Sequence, residues 1–355
     1  MTQHQNTCEA ALLSGAWEQA VESALVWARH QEPAAPRDPR PHFVLNVVQL
    51  IKGQFAEAWS SHALSLQKAD DIARVKAWVE GLVAGHPDRA AVHLVMGLFL
   101  SQSGQSEDSM QSYRMAAKLA PHSAHPHYFL AQIHERANHV EMAIKEYREA
   151  VRLDPSYAPA RTNLGVAYQE QGRLEMAIPQ YREVIKQYPN DAVAHANLAS
   201  ALAEQGKLQA ALLEYQEALR LNPRDAEVHF ALGGLYENKN RPDLAMKEYR
   251  EAVEANRDLA PAHSALGWML FDRGKREEAM ECFNQALRAD PENARAYLGV
   301  AKCYASRGKV QLAIENYTKA IKYEQDPQKK NEIMNCLPRR TVSSKGRYSR
   351  LWSGL

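Results

Sequence analysis

The sequence predicts an all-α protein, an α-solenoid of stacked helical hairpins. Three observations predict this class: a 34-residue period, a Gly or Asn at one position of the period, and fixed positions for small and large residues. The period is visible in a series of prolines that skips Arg257: Pro87, Pro121, Pro155, Pro189, Pro223 and Pro291. Counted from the third residue after this position, seven repeats start at Ala90, Ala124, Ala158, Ala192, Ala226, Ala260 and Ala294.

Position 15 of the repeat predicts where the first helix of each hairpin ends. Only Gly and Asn occupy it: Gly104, Asn138, Gly172, Gly206, Asn240, Gly274 and Gly308. These residue types tolerate the left-handed backbone conformation that commonly follows the last turn of a helix. We therefore expect helix A to end here and helix B to begin a few residues later.

Three further columns predict close packing between the two helices. Position 8 is always Gly or Ala, and position 20 is Ala in every repeat except the first, which has Ser109. Position 24 is always aromatic: Tyr113, Tyr147, Tyr181, Tyr215, Tyr249, Phe283 and Tyr317. Small residues that face large rings let two helices interdigitate at short range.

In these columns, residues 88–325 resemble the tetratricopeptide-repeat family. The resemblance implies a right-handed superhelix in which helix A lines a concave groove, and it implies a role in binding other proteins. Position 4 departs from the family pattern, which favours Trp. This chain has His93, His127, Arg161, His195, His229, His263 and Tyr297 there.

The chain before the regular repeats, residues 1–87, is expected to form degenerate hairpins of the same kind. Residues 15–30 have the pattern of a helix B, residues 42–66 that of a hairpin turning at Gly53, and residues 71–85 that of one more helix. A Pro-rich insertion at 31–41 separates the first two of these segments. Terminal repeats of solenoids are commonly atypical.

The chain after the repeats is expected to end the stack. Residues 326–338 have the pattern of a C-terminal capping helix, and residues 339–355 that of a basic tail without fixed structure. The formal net charge is +1, while the tail carries five Arg or Lys and no acid. The remainder is therefore weakly acidic, which is not the profile of a nucleic-acid-binding protein.

The sequence also predicts a cytoplasmic protein. Its four cysteines, Cys8, Cys282, Cys303 and Cys336, have no metal-binding spacing and fit reduced thiols. The first 15 residues lack the features of a signal peptide. No apolar stretch approaches the ~20 residues needed to cross a bilayer, so we expect no membrane span.

No motif predicts catalysis. The sequence lacks a P-loop and the GxSxG, HExxH and GxGxxG patterns. The His residues at position 4 lie two helices apart, near 20 Å for helices packed at ~8–10 Å, which is too far for a shared metal. The cluster of His122, His125 and His127 fits a solvated loop better than a metal site. We therefore predict a protein that is not an enzyme and has no cofactor or metal.

The resemblance implies that positions 2, 5, 9, 12 and 13 of helix A line the groove. From these columns, and from Asn at position 6, we predict a peptide-binding groove of Tyr128, Asn163, Val166, Asn197, Glu204, Phe230, Glu237, Trp268, Phe271 and Asp272. Exposed aromatic residues on a groove commonly contact a ligand. The alternative is that flanking helices bury them. We expect Phe230, Trp268 and Phe271 to share one hollow.

These observations favour a protein–protein interaction scaffold or assembly factor that binds an extended peptide or a partner helix. The alternative is a permanent structural subunit of a larger complex, such as a secretion, pilus or transferase assembly. The sequence identifies neither the partner nor the oligomeric state.

Overall fold

The computed structural model of the protein describes residues 3–29, 38–51 and 69–337. Every regular element in these ranges is an α-helix, so the predicted all-α solenoid class is confirmed. The turn at Gly53, most of the Pro-rich insertion and the basic tail lie outside the described residues. The chain forms two compact units, unit 1 (Met1–Gly206) and unit 2 (Lys207–Leu355), and each is described by itself.

Among the described residues of unit 1, four helices precede the regular repeats: α1 (Gln3–Ser14), α2 (Trp17–Arg29), α3 (Arg40–Ile51) and α4 (Ala69–Gly85). Repeats 1 to 3 and the first helix of repeat 4 follow: α5 (Ala90–Gln102), α6 (Ser106–Leu119), α7 (Ala124–Arg136), α8 (Val140–Leu153), α9 (Ala158–Glu170), α10 (Leu174–Gln187) and α11 (Ala192–Glu204). The helix α10 continues through Pro179.

Unit 2 contains the second helix of repeat 4, repeats 5 to 7 and a final helix. These are α12 (Leu208–Leu221), α13 (Ala226–Asn238), α14 (Pro242–Ala255), α15 (Ala260–Asp272), α16 (Arg276–Ala289), α17 (Ala294–Ser306), α18 (Val310–Tyr323) and α19 (Pro327–Asn335). Helix α19 packs on α18, and its Ile333 is buried in a cluster with Ala301 and Tyr317.

The turns lie where the sequence places them. All seven residues at position 15 have positive φ, from 54° at Asn240 to 81° at Gly206. Each helix A begins at the first residue of its repeat and ends before that turn. The left-handed residue thus separates helix A from helix B in every repeat.

Position 8 is small because the aromatic ring of position 24 lies against it. A Cβ atom added at Gly165 would lie 2.6 Å from the Tyr181 ring, and one at Gly233 would lie 2.6 Å from the Tyr249 ring. Neither distance is compatible with van der Waals contact. Gly234, the next residue, has only the Tyr249 hydroxyl nearby, at 3.8 Å. The requirement for Gly is therefore specific to the face that meets the ring.

Of the first hairpin, α1 and α2, the sequence predicted only the second helix. The expected helix B is α2, but α1 was not predicted. It follows the same register, because Gly15 has a φ of 73° and Cys8 stands at position 8. The buried Cys8 thiol donates to the Ala20 carbonyl oxygen at 3.8 Å. Since position 24 is Ala24 rather than an aromatic residue, the strongest mark of the repeat is missing here.

Position 4 has a structural role that explains its residues. The Nε2 atoms of His93 and His195 donate to the carbonyl oxygens of Pro87 and Pro189, at 2.8 and 3.1 Å. In repeat 3, the Arg161 guanidinium makes the equivalent bond at 2.8 Å. A donor at position 4 thus ties helix A to the residue six positions earlier.

The other ring nitrogen of two position-4 histidines meets helix B. His127 Nδ1 and His229 Nδ1 each lie 2.7 Å from a carboxylate oxygen, of Glu146 and Glu248 respectively. His125 and His127 lie in the first turn of α7. The expectation that His122, His125 and His127 form a solvated loop is therefore wrong for these two residues. Burial lowers the pKa of His125, whose ring packs on Tyr157.

A ladder of polar bonds joins neighbouring repeats on their outer edge. A side chain at position 14 donates to position 18 of the preceding repeat. The pairs are Gln205 with Glu175, Lys239 with Gln209, Arg273 with Asp243, and Arg307 with Glu277. Exposed pairs of this kind contribute little each, about 0–1 kcal/mol, so packing rather than the ladder holds the repeats together.

Candidate functional site

The predicted groove residues do not all have accessible side chains. Tyr128 has no exposed surface, and its ring packs on Phe129, Tyr147 and Tyr157. The side-chain amide of Gln132 donates to its hydroxyl at 3.0 Å. Tyr128 therefore lies in the core, as the alternative that neighbouring helices bury these positions predicts.

Position 12 of the groove is polar in four repeats, and in three of them the hydroxyl of the position-24 Tyr donates to the side chain at position 12. The hydroxyl of Tyr147 donates to Glu135 at 2.8 Å, and that of Tyr249 donates to Glu237 at 2.8 Å. In repeat 3, the Tyr181 hydroxyl donates to the Gln169 side chain at 3.0 Å. The ring of helix B thus packs in the core, while its hydroxyl orients a polar group of helix A.

Unit 1 has a polar pocket between α9 and α11, with a volume of about 310 Å³. Its lining comprises the predicted groove residues Val166, Asn197 and Glu204 and three further residues, Gln169, Glu170 and Ser200. The Gln169 amide donates to Ser200 Oγ at 3.0 Å and also to the Glu204 carboxylate. Asn163, the fourth predicted residue, donates instead to the Tyr147 hydroxyl at 3.2 Å.

Two carboxylates, Glu170 and Glu204, line this pocket, and a third, Glu135, interacts with Glu170. Burial raises the pKa of Glu135, and the neighbouring Glu170 raises it further. Burial also raises the pKa of Tyr181, with contributions from Glu204 and Glu170. None of these three carboxylates forms an ion pair with a residue that the structure describes.

Repeat 6 of unit 2 lacks this hydroxyl bond, because positions 24 and 12 are both Phe. Position 24 is Phe283 and position 12 is Phe271. The Trp268 ring meets both, with centroids 5.4 Å from Phe283 and 5.9 Å from Phe271. Phe283 is fully buried, whereas Trp268 and Phe271 are half-buried. We call Trp268, Phe271 and Phe283 the aromatic patch.

Two features of Trp268 stand out. Its indole Nε1 is buried and has no hydrogen-bond partner among the described residues. The Lys302 ammonium lies 5.0 Å from the ring centroid, over the face of the indole. An unpaired buried N–H costs about 1–3 kcal/mol, so stability alone does not explain a Trp at this position.

Of the remaining predicted residues of unit 2, Asp272 directly follows Phe271, while Phe230 and Glu237 belong to repeat 5. Phe230 packs 5.8 Å from the Tyr249 ring and against Leu259 and Ala262. No ring contact joins it to the patch among the described residues, so the shared hollow stays a prediction. Glu237 and Asp272 are exposed.

Unit 2 has a pocket of about 230 Å³ between α12, α13 and α14. Its lining includes His229, Glu248, Tyr236 and Lys247. Because His229 and Glu248 bond to each other, this pocket offers fewer free polar groups than its composition suggests.

Comparison with protein families decides what these repeats are. Five models described as tetratricopeptide repeat or TPR repeat match the chain, at residues 137–172 and 199–240, 158–191, 180–212, 226–259, and 264–329. Together they cover more than half of the 355 residues. The chain is a tetratricopeptide-repeat protein. Proteins of this kind bind other proteins or peptides.

Solved tetratricopeptide-repeat structures share the fold. Pseudomonas aeruginosa PilF matches with a TM-score of 0.54 and 19% identity, over 60% of this chain and 96% of PilF. Yeast Tom70 matches with a TM-score of 0.53 and 12% identity, over 94% of this chain and 87% of Tom70. A chain of the Cut9–Hcn1 hetero-tetramer of APC/C matches with a TM-score of 0.57 and 15% identity, over 92% of this chain and 71% of the matched chain. At these identities the likeness concerns the fold alone. No curated protein sequence matches the chain.

Sequence reasoning gave no role in the site to Phe283, the base of the patch, whereas the pocket walls Gln169, Glu170 and Ser200 lie at the expected groove positions 12, 13 and 9. A signal for Phe283 was present. Of the seven repeats, repeat 6 alone has Phe at position 24, and it alone has an aromatic residue, Phe271, at position 12. In the part of the chain that the structure describes, no helix is long and apolar enough to span a membrane.

Proposed function

We propose that this tetratricopeptide-repeat protein is a non-catalytic scaffold that binds an apolar anchor of another protein at the aromatic patch. The observation that carries the proposal is Trp268, a half-buried indole whose N–H has no hydrogen-bond partner among the described residues. It lies in repeat 6, where positions 12 and 24 are both aromatic. Aromatic residues of this kind supply most of the binding energy of a groove.

The chemistry around the patch describes the ligand. Glu237 and Asp272 are exposed acids on the same unit. Lys302 already lies over the Trp268 ring. A ligand with basic residues beside its anchor gains from the acids and is repelled by Lys302. We therefore propose an extended peptide or helix whose apolar anchor meets the patch and whose basic neighbours lie toward Glu237 and Asp272.

The pocket of unit 1 supports a separate contribution. Its acids, with Asn197 and Gln169, suit a polar or basic stretch of a partner, and Val166 offers one apolar contact. The predicted residues Asn163, Val166, Asn197 and Glu204 therefore remain in the proposal, whereas Tyr128 does not.

Selection from a random peptide library against the full chain tests the proposal. We expect the selected peptides to share an aromatic or aliphatic anchor with Arg or Lys within a few residues. Trp268→Ala should weaken their binding by about 30-fold, since such an anchor is worth ~2 kcal/mol or more. Asp272→Lys should weaken binding moderately and flatten its salt dependence.

The contrary result is a Trp268→Ala variant that loses stability and keeps its ligand, which would make the indole a core residue. If the full chain instead purifies only with a stoichiometric partner, the alternative of a permanent subunit is favoured. The cytoplasmic location stays a prediction.

A further inference from the structure

Resting on the proposed function, we infer that the aromatic patch is occupied within the same chain by its own residues 345–355. This segment, KGRYSRLWSGL, lies outside the described residues, and its sequence fits the ligand that the patch requires. It offers Tyr348, Leu351 and Trp352 as apolar anchors. Arg347 and Arg350 are their direct neighbours.

The segment can reach the patch. The described chain ends at Leu337, which packs against the cluster of Ala301, Tyr317 and Ile333 in repeat 7. Trp352 follows 15 residues later, a reach of roughly 50 Å at ~3.3 Å per residue. Helix α17 packs directly on α15, which carries Trp268, and packed helices lie ~8–10 Å apart. The extended segment is therefore longer than the separation of these two helices.

Charge makes the match directional. Residues 338–355 contain five Arg or Lys and no acid, whereas residues 207–337 contain 20 basic and 20 acidic residues. Unit 2 as a whole therefore does not attract the tail, and only a local acidic site can. Asp272 provides one, because it directly follows Phe271 and lies four residues after Trp268 on the same helix, whereas Arg295 and Lys302 of repeat 7 repel a basic segment. We place Leu351 or Trp352 on the patch and Arg350 toward Asp272.

Self-occupancy has a measurable consequence, because a tethered ligand competes with an added one. A short flexible tether gives an effective concentration of about 1 mM. If the free segment binds with a dissociation constant of about 0.1 mM, the tail lowers the affinity for any external ligand by about tenfold. Partners of the patch must then displace the tail.

The probe is a fluorescein-labelled peptide of residues 345–355, titrated by anisotropy against two full-length proteins. One is the parent chain, and the other is the Leu351→Ala/Trp352→Ala variant, whose own tail lacks its anchors. We expect the peptide to bind the variant about tenfold more tightly than the parent. Adding Asp272→Lys to the variant should weaken that binding moderately, while the matched reversal Glu281→Lys, exposed on helix α16, should leave it unchanged.

Three results would overturn the inference. Binding to neither protein would exclude the tail as an occupant, while ligands selected from the library on the Leu351→Ala/Trp352→Ala variant would still test the proposed function. Equal binding to both proteins would mean that the tail does not occupy the patch in cis. A parent chain whose sedimentation coefficient rises with concentration, unlike that of the tail variant, would identify a second copy as the acceptor.

Discussion

Repeats 5 and 6 share one backbone design and differ in one polar pair. In repeat 5, the Tyr249 hydroxyl donates to Glu237, whereas repeat 6 has Phe283 and Phe271 at these two positions. In both repeats a glycine at position 8 accommodates the ring, with an added Cβ 2.6 Å from it at Gly233 and at Gly267. The packing of the ring against glycine is thus the same in both repeats, while the side chain at position 12 is charged in repeat 5 and apolar in repeat 6.

This difference shows which residues of a repeat are free to serve function. The ring of position 24 is required by packing, but its hydroxyl is not. Removing the hydroxyl removes the reason for a polar residue at position 12, and an apolar groove surface becomes possible. Repeats 2 and 3 of unit 1 keep the polar arrangement, and their groove face is acidic and hydrogen-bonded.

The largest expected effect tests the part that the two repeats share. Gly233→Leu and Gly267→Leu should each lower the free energy of unfolding by about 3 kcal/mol, because the new side chain overlaps the ring. Gly234→Ala is the matched control, since its Cβ meets only one atom, at 3.8 Å. Denaturant melts measure all three. A mild Gly267→Leu would show that repeat 6 packs differently from repeat 5.

The next effect tests the part that differs. Phe283→Tyr places a hydroxyl opposite Phe271, where it has no acceptor, and should cost about 1–2 kcal/mol. Phe271→Glu in the same chain should recover part of this loss by recreating the pair of repeat 5. A double-mutant cycle gives the coupling energy. Additive effects would mean that positions 12 and 24 are not linked.

Trp268→Phe should separate binding from stability with a smaller effect. The substitution removes the unpaired indole N–H, which stabilises, and some buried apolar area, which destabilises. Because the two changes offset, the free energy of unfolding should change by under about 1 kcal/mol. Binding of selected peptides should nevertheless weaken. A marked loss of stability would assign the indole to the core.

The smallest effect concerns the acidic face of unit 1. Burial raises the pKa of Glu135 above 4.5 in the folded protein, while the unfolded chain keeps the ordinary value. Between the two values the folded state binds more protons, so the free energy of unfolding falls as pH rises through this window. Glu135→Gln should therefore gain under about 1 kcal/mol at pH 7 and nothing at pH 4. Thermal melts at both values check this; equal shifts would point to a cause other than ionisation.

The sequence predicted the repeats well because each column has one dominant physical cause. A left-handed turn admits Gly or Asn, as at Asn138, and a ring against a backbone admits only a small residue, as at Gly165. The groove was harder to predict, since exposure depends on neighbours in three dimensions. Tyr128 occupies a groove position, yet three surrounding rings bury it, and no spacing rule predicts that.

The ladder between repeats has a bearing on how such a chain changes length. At the four joints named above, the donor is at position 14 of the later repeat and the acceptor at position 18 of the earlier one, whereas between repeats 2 and 3 the donor is Arg173 at position 16. Loss of residues 260–293 as a block would bring Arg307 opposite Asp243, another guanidinium–carboxylate pair. Duplication of the block would likewise create a matched joint. Recombination in units of 34 residues therefore leaves no mismatched charge at the new junction, so evolution can lengthen or shorten the binding surface without redesigning its seams.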